Sequence, residues 1–232
     1  MVSADDLKRG DLKVVGLLPY ASNYTLLARI RSNGRDEPAV YKPVEGEMPL
    51  WDFPPGTLCR REVAAFVVSE AAGWGLVPPT VLRDGPLGYG AVQSYVSHDP
   101  TVTAFDLKAT HESDLKRIAL FDVLVNNADR KAGHVLLDPS RQLWAVDHGV
   151  CFHADPKLRT VLWDFVGEAI SPSDLRALAA LDDALDEEVG ILLATLLDEA
   201  EVDAMRSRLR ALVQERVYPQ PGPGRPYPWP PV

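Results

Sequence analysis

The chain has 232 residues, 46% hydrophobic and 25% charged, with a net charge of −9. That balance fits a soluble globular protein with room for a sizeable core, and the acidity argues against a general nucleic-acid surface. The first residues lack the basic start and apolar core of a signal peptide and no apolar run reaches membrane-span length, so the expectation is a cytoplasmic chain without stable membrane insertion.

Residues 14–18 and 24–30 are strand-like runs rich in branched and apolar residues. Between them, Pro19-Tyr20-Ala21-Ser22-Asn23 forms a turn of small and polar residues. A second turn, 32–36, leads to a third strand, 38–43, which carries Lys42. Such a sheet can clasp a nucleotide, with the first hairpin over the phosphates and the lysine reaching them. The turn has no glycine, so Ser22 and Asn23 would offer a hydroxyl, an amide and backbone N–H groups instead. Lys42 reads equally well as a solvated lysine at a strand end.

Residues 44–56 are Pro-rich and irregular, a loop inserted before a helix over 58–72. In that helix Val63, Phe66, Val67 and Ala71 recur at helical spacing, and Thr57 is the expected N-cap. Glu62 could pair with Lys42 and aim its amine at phosphates; a solvated carboxylate on the helix surface is the plainer fate. Cys59, like Cys151, sits among apolar neighbours and reads as a buried free thiol. A strand over 77–82, a turn at 84–88 and a strand over 89–96 close the sheet-rich half. If the chain crosses there as a hinge, main-chain groups near Gln93, Tyr95 and Val96 would hold an adenine; otherwise the pair is an edge hairpin.

A helix over 112–126 leads into Asn126-Asn127-Ala128-Asp129-Arg130-Lys131-Ala132-Gly133-His134. A short apolar run, 135–137, a turn at 138–140 and a second apolar run, 143–146, then deliver Asp147 just before His148-Gly149. Folded as a hairpin, this stretch brings Asp129 and Asp147 together from eighteen positions apart. Two converging carboxylates are what metal-dependent phosphoryl transfer needs. Asp and Asn also occupy such ends simply as caps and turns. Helices over 173–181, 186–197 and 198–213 follow, and no internal repeat is visible. Residues 218–232 are too rich in proline for helix or central strand and read as an extended arm, either docked through Tyr227 and Trp229 or flexible.

The two loops, Asn127-Ala128-Asp129-Arg130-Lys131-Ala132-Gly133-His134 and Val146-Asp147-His148-Gly149, resemble the catalytic and metal-binding loops of the phosphatidylinositol 3-/4-kinase-related family. Small bacterial members and type II phosphatidylinositol 4-kinases are the nearest in pattern, and HipA-like serine kinases are more distant. The resemblance spans roughly residues 12–165. It implies an α+β, two-lobed protein-kinase-like fold: an N-terminal antiparallel sheet lobe with one helix (1–97), a mainly helical C-terminal lobe with the catalytic and metal loops (98–217), and the Pro-rich tail. It further implies ATP-binding by Lys42, steadied by Glu62, catalysis by Asp129 with Arg130 and Lys131, and Mg²⁺ or Mn²⁺ held by Asp147 and His134.

The family pattern usually reads Asp-Arg-His-x-Gly-Asn, whereas here Lys131 replaces the His and His134 the Asn. Imidazole is a poorer ligand than oxygen for Mg²⁺. The change therefore weakens the metal site, favours Mn²⁺, or marks a degenerate kinase, while Lys131 could stabilise the transferring phosphoryl charge. The expected activity is ATP-dependent phosphoryl transfer to an unknown hydroxyl acceptor, a protein or small molecule rather than a lipid, because no basic amphipathic patch is evident. Transfer of AMP is an alternative on the same fold. A nucleotide-binding pseudokinase with a scaffold or regulatory role is the second reading. A purely structural protein would leave Lys42, Asp129 and Asp147 without a reason to coincide.

Overall fold

A computed structural model describes residues 1–18 and 24–232. Ser22 and Asn23, expected at the phosphates, lie outside the described residues. The first element is α1 (Ala4–Arg9), a helix the sequence reading passed over. It is capped at Ser3 and has acidic residues in its first turn and basic ones in its last, as the helix dipole favours. Strands β1 (Asp11–Leu17), β2 (Leu26–Ser32), β3 (Arg35–Pro43), β4 (Thr80–Gly85) and β5 (Gly88–Ser94) form one sheet in the order β1-β2-β3-β5-β4, antiparallel throughout. Alternation along β2 sends Leu26, Ala28 and Ile30 inward, where they pack with Leu7, Leu12, Ala39, Tyr41 and Val92. Lys42 faces Ala91 across β3 and β5. Next to that pair only glycine fits: a Cβ on Gly90 would lie 2.3 Å from the Lys42 carbonyl oxygen.

Helix α2 (Leu58–Ala71) carries Glu62. Thr57 stands at its N-cap position but makes no capping bond; its hydroxyl donates to Pro54 O instead. Glu47, from the inserted loop, takes over the role by accepting from Gly56 N and Cys59 N, each at 2.9 Å. Although α2 lies between β3 and β4 in sequence, Val63, Ala64, Ala65, Val68 and Ala72 belong to the core shared with the helices that follow.

Those helices are α3 (Ala104–Leu107), α4 (Glu112–Val125), α5 (Pro172–Ala184), α6 (Glu188–Ala194) and α7 (Glu199–Glu215). Between α4 and α5 lies a two-stranded hairpin of β6 (Val135–Leu137) and β7 (Leu143–Ala145). Helix α4 ends one residue short of the expected bound, with Asn126 in the left-handed conformation as its C-cap. Cys59 and Cys151 are both buried and free. The arm is docked, but not through its aromatics: Tyr227 and Trp229 are exposed, while Pro228 is buried and the carbonyls of Pro226 and Pro231 bond to the lobe. Proline has no N–H, so carbonyls are the arm's natural handles.

Candidate active site

The cleft between sheet and helices gathers four elements. From β3, the Lys42 ammonium donates to Glu62 Oε1 on α2 and to Asp147 Oδ1, the latter at 2.9 Å. Glu62 Oε2 accepts from His148 N at 3.1 Å, so one carboxylate ties the sheet's lysine to the segment after β7. Burial alone would lower the Lys42 pKa, but Asp147 and Glu62 outweigh it and hold the amine above its ordinary value. In return the Lys42 charge holds the Asp147 carboxyl well below the usual carboxylate range, against the effect of burial. Lysine and carboxylate are thus both charged at neutral pH.

Asp147 has a positive φ of 63°, an uncommon conformation for a residue other than glycine. That geometry turns its side chain toward two partners. Oδ2 lies 3.4 Å from His134 Nε2. Burial is the largest influence on His134 and pushes its pKa down to about 4; the pull of Asp147 opposes this, and Arg130, Lys131 and Lys42 reinforce it. The imidazole is therefore neutral, and its Nδ1 is buried with no hydrogen-bond partner among the described residues.

Asp129 sits on the loop after α4, with its backbone N–H held by Asn127 Oδ1 at 2.9 Å and its carboxylate 3.2 Å from Lys131 Nζ. Burial raises the Asp129 pKa, Lys131 opposes this, and the charge of Asp147 adds to the rise, so the two carboxylates lie within electrostatic reach. Lys131 and Asp129 therefore stand together as an ion pair.

Arg130 behaves differently from its expected catalytic part. It is fully buried: Nε donates to both Asp122 oxygens at 3.0 and 3.1 Å, Nη1 to Val146 O at 2.7 Å, and Nη2 to His148 Nε2 at 2.7 Å. With its donors spent inside the protein it cannot touch a substrate, and it acts by positioning both loops at once. Asp122 also accepts from Asn127 Nδ2 and Thr160 Oγ1. Gln93 is likewise engaged elsewhere. Its backbone pairs with Val40 and Thr80, and its side-chain amide donates to Thr80 Oγ1 at 2.8 Å. Tyr95 N donates to Pro38 O, which leaves Val96, packed with Leu136 and Trp144, as the residue of the three that lines an apolar floor.

No protein-family model matches the chain. Protein Rv2133c of Mycobacterium tuberculosis is 41% identical over an alignment covering 97% of this chain and 93% of that protein. The chain belongs to the Rv2133c family. Phosphatidylinositol 4-kinase gamma 4 of Oryza sativa subsp. japonica is 25% identical over 69% of the chain, and the match spans only 35% of the plant protein. Among solved structures, the Helicobacter pylori proinflammatory kinase CtkA superposes with a TM-score of 0.53 at 14% identity, covering 92% of this chain and 95% of CtkA. The Golgi casein kinase with Mn/ADP bound gives 0.57 at 14% identity, covering 91% of this chain and 74% of that kinase. The fold is therefore the two-lobed, kinase-like one.

Within this member of the Rv2133c family, the sequence reading missed the supporting groups of the site. Asp122 was not singled out, and its signal was a charge four positions after Ile118 and seven after Leu115, on their apolar helix face. Asn126, read as the last residue of the helix, is its C-cap and also organises the neighbouring loop. Its Nδ2 donates to the carbonyls of His153 and Asp155 at 2.8 Å, and its Oδ1 accepts from Lys157 N at 2.9 Å.

Proposed function

We propose that this protein is an ATP-dependent phosphotransferase that moves the γ-phosphoryl group of ATP to an acceptor hydroxyl. The observation that carries this is the Lys42–Glu62–Asp147 chain of contacts beside Asp129 and Lys131. In such a site Lys42 steadies the phosphates, and Glu62, fixed by His148 N, keeps the amine in place. Asp129 orients the acceptor hydroxyl and takes its proton as the new P–O bond forms, with ADP leaving. Its raised pKa suits a group that must hold that proton. Lys131 lies where negative charge develops on the moving phosphoryl group.

Asp147 and His134 fit a nucleotide-bridging divalent ion. They are one oxygen and one nitrogen donor 3.4 Å apart, and the imidazole is neutral, as a ligand must be. Among the described residues no group of three His, Cys, Asp or Glu gathers around a metal position, so phosphate oxygens and water would complete the shell. When bound, such an ion supplies charge neutralisation across the phosphates. The nitrogen donor favours Mn²⁺ relative to Mg²⁺.

The test is incubation of the full chain with ATP labelled at either the γ or the α phosphate, with Mg²⁺ or Mn²⁺. Transfer of the γ label, greater with Mn²⁺ and lost in Asp129→Asn, supports the proposal; transfer of the α label assigns AMP transfer instead. Nucleotide binding with no transfer under any metal favours the pseudokinase, and no nucleotide-induced rise in Tm refutes both. The acceptor is proposed to be a soluble hydroxyl compound or a protein. Among the described residues no helix is long and apolar enough to cross a membrane.

A further inference from the structure

Seven of the thirteen residues from 219 to 231 are proline. A chain of this kind is extended before it docks, so holding it in place costs little conformational entropy. It reaches the lobe through carbonyls. Pro226 O accepts from Thr160 N at 3.0 Å and from Trp163 Nε1 at 2.9 Å, and Pro231 O accepts from Ala132 N at 2.8 Å. Both backbone amides belong to buried residues.

The positions of those amides matter more than their number. Ala132 follows Lys131 directly and opens the short 3-10 turn that ends at His134. Thr160 lies against Arg130: Arg130 N donates to Arg159 O at 2.9 Å and Val161 N to Arg130 O at 3.2 Å, a parallel bridge. The Thr160 hydroxyl meanwhile donates inward to Asp122, the partner of Arg130. The arm therefore grips the loop of Asp129, Arg130 and Lys131 from two sides, while its described hydrogen bonds leave Lys42, Glu62 and Asp147 untouched.

We infer that the arm is a working part of the transfer site. Pro226 and Pro231 are positioning residues that hold Thr160 and Ala132, and through them set the Asp129–Lys131 geometry. The inference rests on the function proposed above. It requires the arm to act on the transfer step and not on nucleotide binding, because misplacing a reacting group slows chemistry without removing the binding contacts.

The experiment compares the full chain with one lacking residues 222–232, which keeps the buried Tyr218, and adds a synthetic peptide of residues 219–232 in trans. With Mn²⁺ and labelled ATP, the shortened chain should bind nucleotide within about threefold of the full chain yet transfer about ten- to a hundredfold more slowly. The peptide should restore part of that loss, as a mere stabilising role would not predict. Amide exchange should rise in peptides covering 129–137 and 157–163. Equal transfer rates in the two chains overturn the arm's role alone. So does a loss of nucleotide binding as large as the loss of transfer. No transfer by the full chain overturns the proposed function, and this inference with it.

Discussion

His134 makes the fold sensitive to acid in a way that one substitution should remove. The imidazole is mostly buried, its Nδ1 has no hydrogen-bond partner among the described residues, and its pKa falls from the ordinary 6.5 to about 4. In the unfolded chain it takes a proton near pH 6.5, whereas in the fold it resists until about pH 4. The unfolded state therefore binds more protons across that window, and stability is lost as pH falls through it. At about 1.4 kcal/mol for each pH unit between the two values, His134 alone should cost the fold about 3 kcal/mol by pH 4. His134→Asn keeps a neutral polar side chain and cannot titrate. The assay is urea unfolding of both chains at pH 7, 5.5 and 4, read by tryptophan fluorescence. Groups remote from His134 are common to both proteins and cancel in the difference, whereas Asp147, 3.4 Å away, is coupled to it, so the same pair of chains is also compared in an Asp147→Asn background. The variant should gain on the parent steadily below pH 6.5. Parallel curves would mean that the imidazole is hydrated in the folded protein and would refute the argument.

Arg130→Met should destabilise the protein by about 3–5 kcal/mol in the same unfolding assay, because it leaves the fully buried Asp122 carboxylate without its cation; a loss below about 1 kcal/mol would show the pair to be hydrated. Lys42→Met should weaken nucleotide affinity by about tenfold or more in a binding titration, since a charge-assisted contact to phosphate is removed; unchanged affinity would place the phosphates elsewhere. The transfer rate should rise with pH through an acid limb lying above the ordinary carboxylate range, because Asp129 must be ionised to take a proton and burial raises its pKa. A limb unmoved from that ordinary range in a pH–rate profile would assign it to another group. Gly90→Ala should cost about 2 kcal/mol or more in unfolding, as the new Cβ meets the Lys42 carbonyl oxygen at 2.3 Å; a near-neutral result would mean that β3 and β5 move apart easily.

Periodicity made the helices and most strands legible, because each buries one face against a single core. Helix α4 shows this: Leu115, Ile118, Leu124 and their neighbours recur at helical spacing, and the observed bounds, Glu112–Val125, differ from the expected ones by a residue. Short elements carried no such signal. Helix α1 has one fully buried residue, Leu7, and six residues are too few to establish a period. The cap of α2 was misplaced because Thr57 fits the local rule while the group that does the capping, Glu47, stands ten positions away across an irregular loop. Nothing in local sequence encodes that approach. The arm's mode of docking was hidden for a related reason: aromatic side chains suggest burial, yet here the backbone carbonyls make the contacts.

The site divides along the same line. Lys42, Glu62, Asp129 and Asp147 were singled out through the resemblance of the two loops and the pairing it implies, not through residue type, since each also has a plain structural reading. What distinguishes Asp129 from Arg130 is not residue type but where the hydrogen bonds go. Both are charged and adjacent, yet among the described residues one side chain pairs with Lys131, while the other is surrounded by Asp122, Val146 O and His148. A guanidinium has donors enough to saturate a buried carboxylate, a carbonyl and an imidazole together. Arg130 thereby fixes the distance between the loop of Asp129 and the segment of Asp147, so the two carboxylates are held within electrostatic reach of each other despite their like charge. The motif encodes a partly exposed carboxylate and its buried scaffold side by side, and only the fold separates the two.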